Sequence, residues 1–429
     1  MDLIALIGAL VFFVGVLASV ALHEIGHMVP AKLFDVRVTQ YMVGFGRTLW
    51  SRRRGETEYG VKLIPFGGYV RMIGMFPPAR DGRLRRGSTG PFQTLIEEAR
   101  NTSAEETPPG EEHRLFYSKK WWQKLIIMSG GPLMNIFLAI LLFGIVLMGF
   151  GMDVLKPTVS AVPDCVVPAT EGARKCTDQD PLSPAKKAGL RVGDQIVAFN
   201  GTRVGSWDEV SGLIRDAGAG AVTIGIVRDG KPQTLHTDLI AADRPDPDDP
   251  TEFQRVGFLG VSPTVVRERQ GPIAVFGEMG RLTGATAQAM VHIPERMVGV
   301  AKAAFGDKRE MDSPMSIIGA SRVAGEIASA SRVSVGDRIA TFLQWLGALN
   351  LFIALFNFIP LLPLDGGHIA GAIYEAIRRA FARLRRRPDP GYVDVARALP
   401  LAYAVASVIA VMGVLLLYAD IVNPVRISN

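Results

Sequence analysis

Residues 3–27 read LIALIGALVFFVGVLASVAL-HEIGH, and this stretch decides the fold. Its first part, 3–22, is uncharged and predominantly apolar, matching the about 20 residues needed to cross a hydrocarbon core. A cleaved signal peptide needs basic residues before its apolar core and a small-residue site after it. Here Asp2 precedes the run and His23-Glu24 follow directly, which predicts a retained helix. The spacing His23-Glu24-Ile25-Gly26-His27 is H-E-x-x-H. On a helix, residues four apart share a face, so both imidazoles can reach one metal with Glu24 alongside. Neutral imidazoles suit Zn2+, which keeps one position open for water when catalytic. A nearby carboxylate can take that water's proton. Ionisable groups in or beside a membrane helix are costly and read as functional by default. The competing reading is a polar trio that caps the span at the interface.

Three further runs are long enough to cross a membrane: 125–152, entered through Trp121 and Trp122, then 339–364 and 398–418. The chain has 429 residues, of which 48% are hydrophobic and 21% charged. That is too apolar for an ordinary soluble enzyme and too charged for membrane throughout. A membrane core with at least one soluble module follows. The net charge of +6 raises the question of nucleic acid. The basic residues gather beside apolar runs and no nucleic-acid motif accompanies them, so no nucleic-acid partner is expected. Arg52, Arg53, Arg54, Arg83, Arg85, Arg86, Lys119 and Lys120 lie between the first two runs; Arg378, Arg379, Arg383 and Arg385–Arg387 lie between the last two. Both segments read as cytoplasmic under the positive-inside rule. Both termini and the stretch 155–335 then lie on the outer face of a multi-pass cell (plasma or inner) membrane protein. The only two cysteines, Cys165 and Cys176, fall in that outer stretch, either as a disulfide or as two unpaired thiols.

A third metal ligand is sought in the run that ends at Asn357-Phe-Ile-Pro-Leu-Leu-Pro-Leu-Asp365-Gly366-Gly367-His368. Asp365 is ionisable at the depth of His23 and His27, and His368 is its competitor. Pro360 and Pro363 disrupt helical bonding, and the two glycines let backbone approach its neighbours. Broken backbone at membrane depth is tolerated where protein buries it or water reaches it, as in a cavity wall. His113, His236 and His292 sit in polar or amphipathic surroundings and read as ordinary.

A membrane H-E-x-x-H followed far downstream by N-x7-D-G resembles the site-2 protease family of intramembrane zinc metalloproteases. Pro65-Phe66-Gly67-Gly68-Tyr69-Val70 looks like the family's Gly-Gly element, and Gly130-Gly131-Pro132-Leu133-Met134-Asn135 like the opening of its second core span. The resemblance implies Zn2+ on His23, His27 and Asp365, with Glu24 as general base. It also implies substrate contacts from Asn357, Asn135, Gly67, Gly68 and Tyr69, and a cytoplasmic membrane-associated β-hairpin dipping toward the site. Such an edge accepts an extended substrate by strand addition; the alternative is a plain surface hairpin. Asn350 precedes Asn357 by seven residues where many relatives place two asparagines five apart, so it is not given the same role. Single-span membrane proteins such as anti-sigma factors are the implied substrates, cut in regulated intramembrane proteolysis.

Residues 184–201, with Gly189-Leu190, Gly193-Asp194 and Asn200-Gly201 in order, look like a bacterial PDZ domain. Residues 207–214 fit its next helix, and 222–227 with 234–239 flank an Asp229-Gly230 turn as a hairpin. PDZ grooves take peptide termini or extended segments, or the domain filters substrates by size. The Asp- and Pro-rich stretch 241–250 reads as a linker. Residues 257–261 read as a short strand, and 273–305 as an amphipathic helix at the bilayer surface or a plain packing helix. Residues 78–112 read as a polar insertion. The expectation is a polytopic α-helical membrane protein with about four transmembrane helices and an extracytoplasmic PDZ domain. Its divisions are 1–154 (membrane core, first half), 155–245 (PDZ), 246–335 (linker and amphipathic segment) and 336–429 (membrane core, second half). A non-catalytic PDZ scaffold and a metal transporter are the competing function classes; a glutamate between two histidines argues against transport.

Overall fold

The computed structural model describes residues 3–77, 96, 110–167, 176–177, 180–245, 253–306, 309, 313–330 and 333–425. Most of the insertion read at 78–112 therefore lies outside the described residues. The chain divides into two compact units, one of Met1–Phe150 with Gly271–Asn429 and one of Gly151–Gln270.

In the first unit, four helices among the described residues are long and apolar enough to cross a membrane: Leu3–Leu33, Trp121–Phe150, Val335–Asn357 and Val395–Val422. Their outward faces carry exposed Leu6, Leu10, Leu133, Phe137, Val411 and Val414. Large apolar side chains left outside on long helices suit hydrocarbon as the solvent. The first helix, α1 (Leu3–Leu33), runs on past residue 22, so His23–His27 lie within it rather than at its end. The second, α2 (Trp121–Gly144), finishes in a π-helical turn over Ile145–Phe150. The third span stops at Asn357 rather than 364. Pro360 and Pro363 have no N–H to continue the ladder, and a new helix starts at Asp365.

Residues 246–335 are not a linker and surface segment alone. After α5 (Pro272–Val291) and α6 (Ile293–Ala304), helix α7 (Ile317–Ser329) packs closely on α1. Its Ala324 joins Phe12, Val16 and Leu346 in one buried cluster. α5 buries Val275 and Met279 against Ala139, Phe143 and Leu351 while leaving Ile273 and Phe276 exposed. α8 (Val335–Asn357), α9 (Asp365–Leu384) and α10 (Leu399–Val422) complete this unit.

Between α1 and α2 the chain forms β1 (Val38–Arg54) and β2 (Thr57–Met72), an irregular antiparallel pair. β1 residues 40–43 face two parts of β2 at once: Tyr41 pairs with both Tyr59 and Val70. Residues 58–61 pair in turn with 50–53 of β1. The hairpin is thus wrapped on itself, in the spatial order 68–72, 38–43, 58–61, 50–54. Both outer edges lack a strand partner among the described residues.

The second unit is a seven-stranded antiparallel sheet, in the order β8-β7-β6-β4-β3-β9 with β5 paired to β4. Its strands are β3 (Met152–Ala161), β4 (Gln195–Phe199), β5 (Thr202–Arg203), β6 (Gly220–Arg228), β7 (Lys231–Pro245), β8 (Phe253–Phe258) and β9 (Ser262–Glu268). Asp229 and Gly230 both adopt positive φ, as a two-residue hairpin turn between β6 and β7 requires. Two helices, α3 (Pro184–Lys187) and α4 (Trp207–Ala217), are capped by Ser183 and Ser206, whose hydroxyls accept from the N–H groups of Lys186 and Glu209. Ile196, Phe199, Val210, Ile224 and Ile226 form the core. The linker expected at 241–250 does not end this unit. β7 continues to Pro245 and pairs with β8, while β9 pairs with β3 from Met152↔Glu268 onward. The boundary thus moves from 245 to 270 because later strands complete the sheet. Cys165 and Cys176 form a disulfide within this unit.

The turn before β4 is fixed by Asp194, whose side chain is 1% exposed. Both its oxygens accept from the Arg228 guanidinium at 2.7 Å, and Oδ2 also accepts from Arg191 N. The Arg228 guanidinium first, and the Arg191 N–H with it, hold the Asp194 carboxyl below its ordinary value against the opposing effect of burial. A carboxyl with a depressed folded pKa gives stability that is present above its unfolded pKa and lost as pH falls through the folded one. In the full chain, the protection of the β4 and β6 amides, relative to the intrinsic exchange rate at each pH, is therefore expected to fall as pH drops below the usual carboxylate range. Asp194→Asn should exchange faster at neutral pH, by roughly tenfold or more, and lose that acid dependence. Unchanged exchange in this variant would remove the pair from the account of stability.

Candidate active site

The site is built where α1 crosses α2. Pro30 has no N–H, so the Gly26 carbonyl lacks its usual helical donor. That carbonyl packs directly onto Gly130, and a Cβ on either glycine would overlap the other's backbone. The next residue, Gly131, lies beneath both imidazoles: a Cβ there would fall 2.7 Å from His23 Nε2 and against His27 Nε2. The His27 ring is oriented by α2, since Nδ1 lies 2.8 Å from the Ile127 carbonyl. A carbonyl only accepts, so Nδ1 carries the proton and a neutral His27 keeps its Nε2 lone pair free.

Asp365, the first residue of α9, meets these nitrogens. Its Oδ2 lies 3.3 Å from His23 Nε2 and 3.2 Å from His27 Nε2, which are 3.2 Å from one another. Two ligands about 2.05 Å from a tetrahedral centre lie about 3.3–3.4 Å apart, so the triangle has the dimensions of a zinc site. Two nitrogen lone pairs and a carboxylate oxygen at this separation repel unless a cation lies between them. Asp365 Oδ2 has no hydrogen-bond partner. The donor set and its spacing thus fit Zn2+, held by His23, His27 and Asp365. Among the described residues this is the one such cluster of histidine, cysteine and carboxylate ligand atoms.

A cavity of about 440 Å³ opens on the triangle. Its lining includes Glu24, Gly67, Gly68, Tyr69, Val70, Asn357 and His368. Glu24 follows His23 on α1, and Gly68 approaches so closely that an added Cβ would sit 3.1 Å from Glu24 Cγ. The edge 68–72 of the wrapped hairpin therefore borders the ligand triangle. His368 reaches the cavity but stands outside the triangle. Asn135 is not brought into the cavity lining: it is fully buried on α2, with neither side-chain atom partnered. Asn350 is also fully buried, and its Nδ2 donates to Ser19 Oγ at 3.0 Å and to the Leu346 carbonyl. That bond ties α8 to α1 one turn before His23.

Sequence reading missed the anchor of the third ligand. α9 is held to α2 by Lys124, whose Nζ lies 2.8 Å from Glu375 Oε2, with both side chains buried. Arg379 reaches the other Glu375 oxygen at 3.1 Å, and Lys124 and Arg379 both stand over the Tyr392 ring. The available signal was Lys124 itself, a charge inside an apolar helix, which calls for a buried partner.

Gly131→Val is expected to push the imidazoles apart and weaken Zn2+ binding by roughly 10–100-fold, with helix content by circular dichroism unchanged. Wild-type zinc affinity in that variant would show that the crossing does not set the ligand geometry.

The model of peptidase family M50 matches residues 11–388. Over 437 aligned residues the chain is 33% identical to zinc metalloprotease Rip1 of Mycobacterium tuberculosis (strain ATCC 25618 / H37Rv), covering 98% of each sequence. It is also 33% identical to zinc metalloprotease Rip1 of Mycolicibacterium smegmatis over 436 residues, again covering 98% of both. With a metal-sized ligand triangle set among membrane-spanning helices, these matches identify a membrane zinc metalloprotease: the chain belongs to peptidase family M50, the site-2 proteases.

Proposed function

We propose that the protein is an intramembrane endopeptidase that cuts the transmembrane segments of single-span membrane proteins, with His23, His27 and Asp365 holding the zinc. The observation that carries this reading is the meeting of three ligand atoms, a neighbouring carboxylate and an unpaired strand edge around one cavity. Zinc bound there supplies a Lewis acid that acidifies water and polarises the scissile carbonyl.

The rest is done by the chain. A helical substrate has its carbonyls engaged in i to i−4 bonds and must unwind to be attacked. The edge 68–72 replaces the lost backbone bonds by strand pairing. Glu24, placed on the cavity wall, takes the proton of the attacking water and returns it to the departing amine. Asn357, at the end of α8, offers a side-chain N–H to the oxyanion that develops. Asn135, buried on α2 with its side-chain amide unpartnered, is assigned no step in this scheme.

The basic residues beside the spans support a cytoplasmic position for the ligand end of α1. On that orientation the second unit is extracytoplasmic, in keeping with its disulfide. Its capped α4 and its two-residue hairpin turn support the PDZ reading, with extended chains or termini as ligands. Regulated intramembrane proteolysis, with substrates such as anti-sigma factors, is the setting this arrangement fits.

Glu24→Gln tests the mechanism. Purified in detergent, the variant is expected to retain zinc at the wild-type level and to cut a single-span reporter at least about a hundredfold more slowly. Undiminished cleavage would sink the general-base assignment, and loss of zinc would move Glu24 into the ligand set.

A further inference from the structure

At the far edge of the wrapped hairpin lies a second cavity of about 650 Å³, lined by Lys32, Trp50, Arg52, Arg53, Arg54, Gly55 and Tyr59. Four of these side chains are cationic and none is a carboxylate. Arg53 faces Glu58 across the strand pair, whereas Arg52 and Arg54 make no ion pair among the described residues. Of the carboxylates at the start of β2, Glu56 is engaged by Arg114 at 2.8 Å and Glu58 accepts from Gln40 at 3.2 Å while facing Arg53, which leaves Lys32, Arg52 and Arg54 without a carboxylate at the cavity. Uncompensated cations brought together repel one another, so the cluster is stabilised by an anion from outside the chain.

Three observations say which anion. Exposed apolar side chains continue to the last turn of α1, with Val29 48% and Leu33 77% exposed, so the lipid-facing surface reaches the helix end. Lys32 stands in that turn, and its Cα–Cβ bond tilts toward the helix N-terminus, back toward the bilayer. Its Nζ donates to Tyr59 Oη at 2.8 Å, which fixes the cation at the cavity wall. Beside the arginines, Leu49, Trp50 and Leu63 are each more than half exposed on the same hairpin. An exposed tryptophan next to arginines is the side-chain pairing of a membrane–water interface. A free phosphate would account for the cations, but not for the apolar surface that flanks them.

We propose that this cavity binds the phosphate of an anionic phospholipid headgroup, with Lys32, Arg52 and Arg54 on the phosphate and Trp50 beside the acyl chains. The site belongs to the sheet edge opposite the one that borders the zinc ligands and does not depend on the catalytic assignment.

The test uses the full chain in a neutral detergent, titrated with dioctanoyl phosphatidylglycerol, dioctanoyl phosphatidylcholine or inorganic phosphate, and read by thermal unfolding. Phosphatidylglycerol is expected to raise Tm saturably and the other two to leave it unchanged. In a variant carrying Lys32→Gln, Arg52→Gln and Arg54→Gln, the phosphatidylglycerol response should shift to roughly hundredfold higher concentration. Arg52→Lys with Arg54→Lys should largely preserve it. An equal response to phosphatidylcholine, or an unaltered response in the glutamine variant, would overturn the site. Reproduction of the whole effect by inorganic phosphate would overturn the assignment to lipid. Should the glutamine variant not fold, Arg52→Gln alone replaces it, and an unshifted titration there would equally overturn the site.

Discussion

The close approach of α1 and α2 at Gly26 and Gly130 is the constraint on which the rest of the membrane unit depends. In a hydrocarbon solvent, helices gain little from burying apolar surface, because lipid tails are as apolar as leucine. Close packing of small residues then decides where they touch. Here it also decides the chemistry. With no side chain between the two backbones, the Nε2 atoms of both histidines close over Gly131 and the Ile127 carbonyl comes within reach of His27 Nδ1. Any residue with a Cβ at the crossing would separate the helices and dissolve the ligand triangle.

The third corner comes from farther along the chain and needs its own support. Asp365 begins α9, and α9 is fastened to α2 by the Lys124–Glu375 pair. A buried ion pair is weak evidence for stability, since desolvation offsets much of its attraction. Its value lies in direction: it fixes one helix against another in a medium where apolar contacts would let them slide. Arg379 and the Tyr392 ring enclose the same carboxylate and ammonium, so neither is left without a partner.

Much of this was legible in the residues. H-E-x-x-H carries its geometry in its spacing, and Asp365 stood out as an ionisable group at the end of an apolar run. Apolar length located four spans, but their ends depend on interactions between distant segments. α1 continues past His23 because α2 and the hairpin cover its polar turns. The third span ends at Asn357 because two prolines follow. The 241–250 stretch has a linker's composition, yet half of it is the end of β7, paired with a β8 whose sequence carries little apolar periodicity. Nor did composition reveal that α7 packs into the membrane unit. Its small residues and single arginine suit a surface helix as well as an interior one until Gly8 and Ala328 are seen to touch. Asn135 shows the reverse limit: a motif matched the residue, which is fully buried on α2 and not among the residues that line the cavity.

The chain leaves the membrane unit after Phe150 and returns at Gly271, and the strands that follow the first point and precede the second are zipped together from Met152↔Glu268. Paired residues in an antiparallel ladder are about 5 Å apart. The 120-residue insertion, Gly151–Gln270, is therefore a cassette whose two ends meet at a single point, and the helices on either side see only that short span. Modules of other sizes, or several in series, can be spliced there without altering the distance between the flanking helices, so long as their own ends meet. The insertion is in this way free to diversify while the ligand geometry of the membrane unit stays fixed.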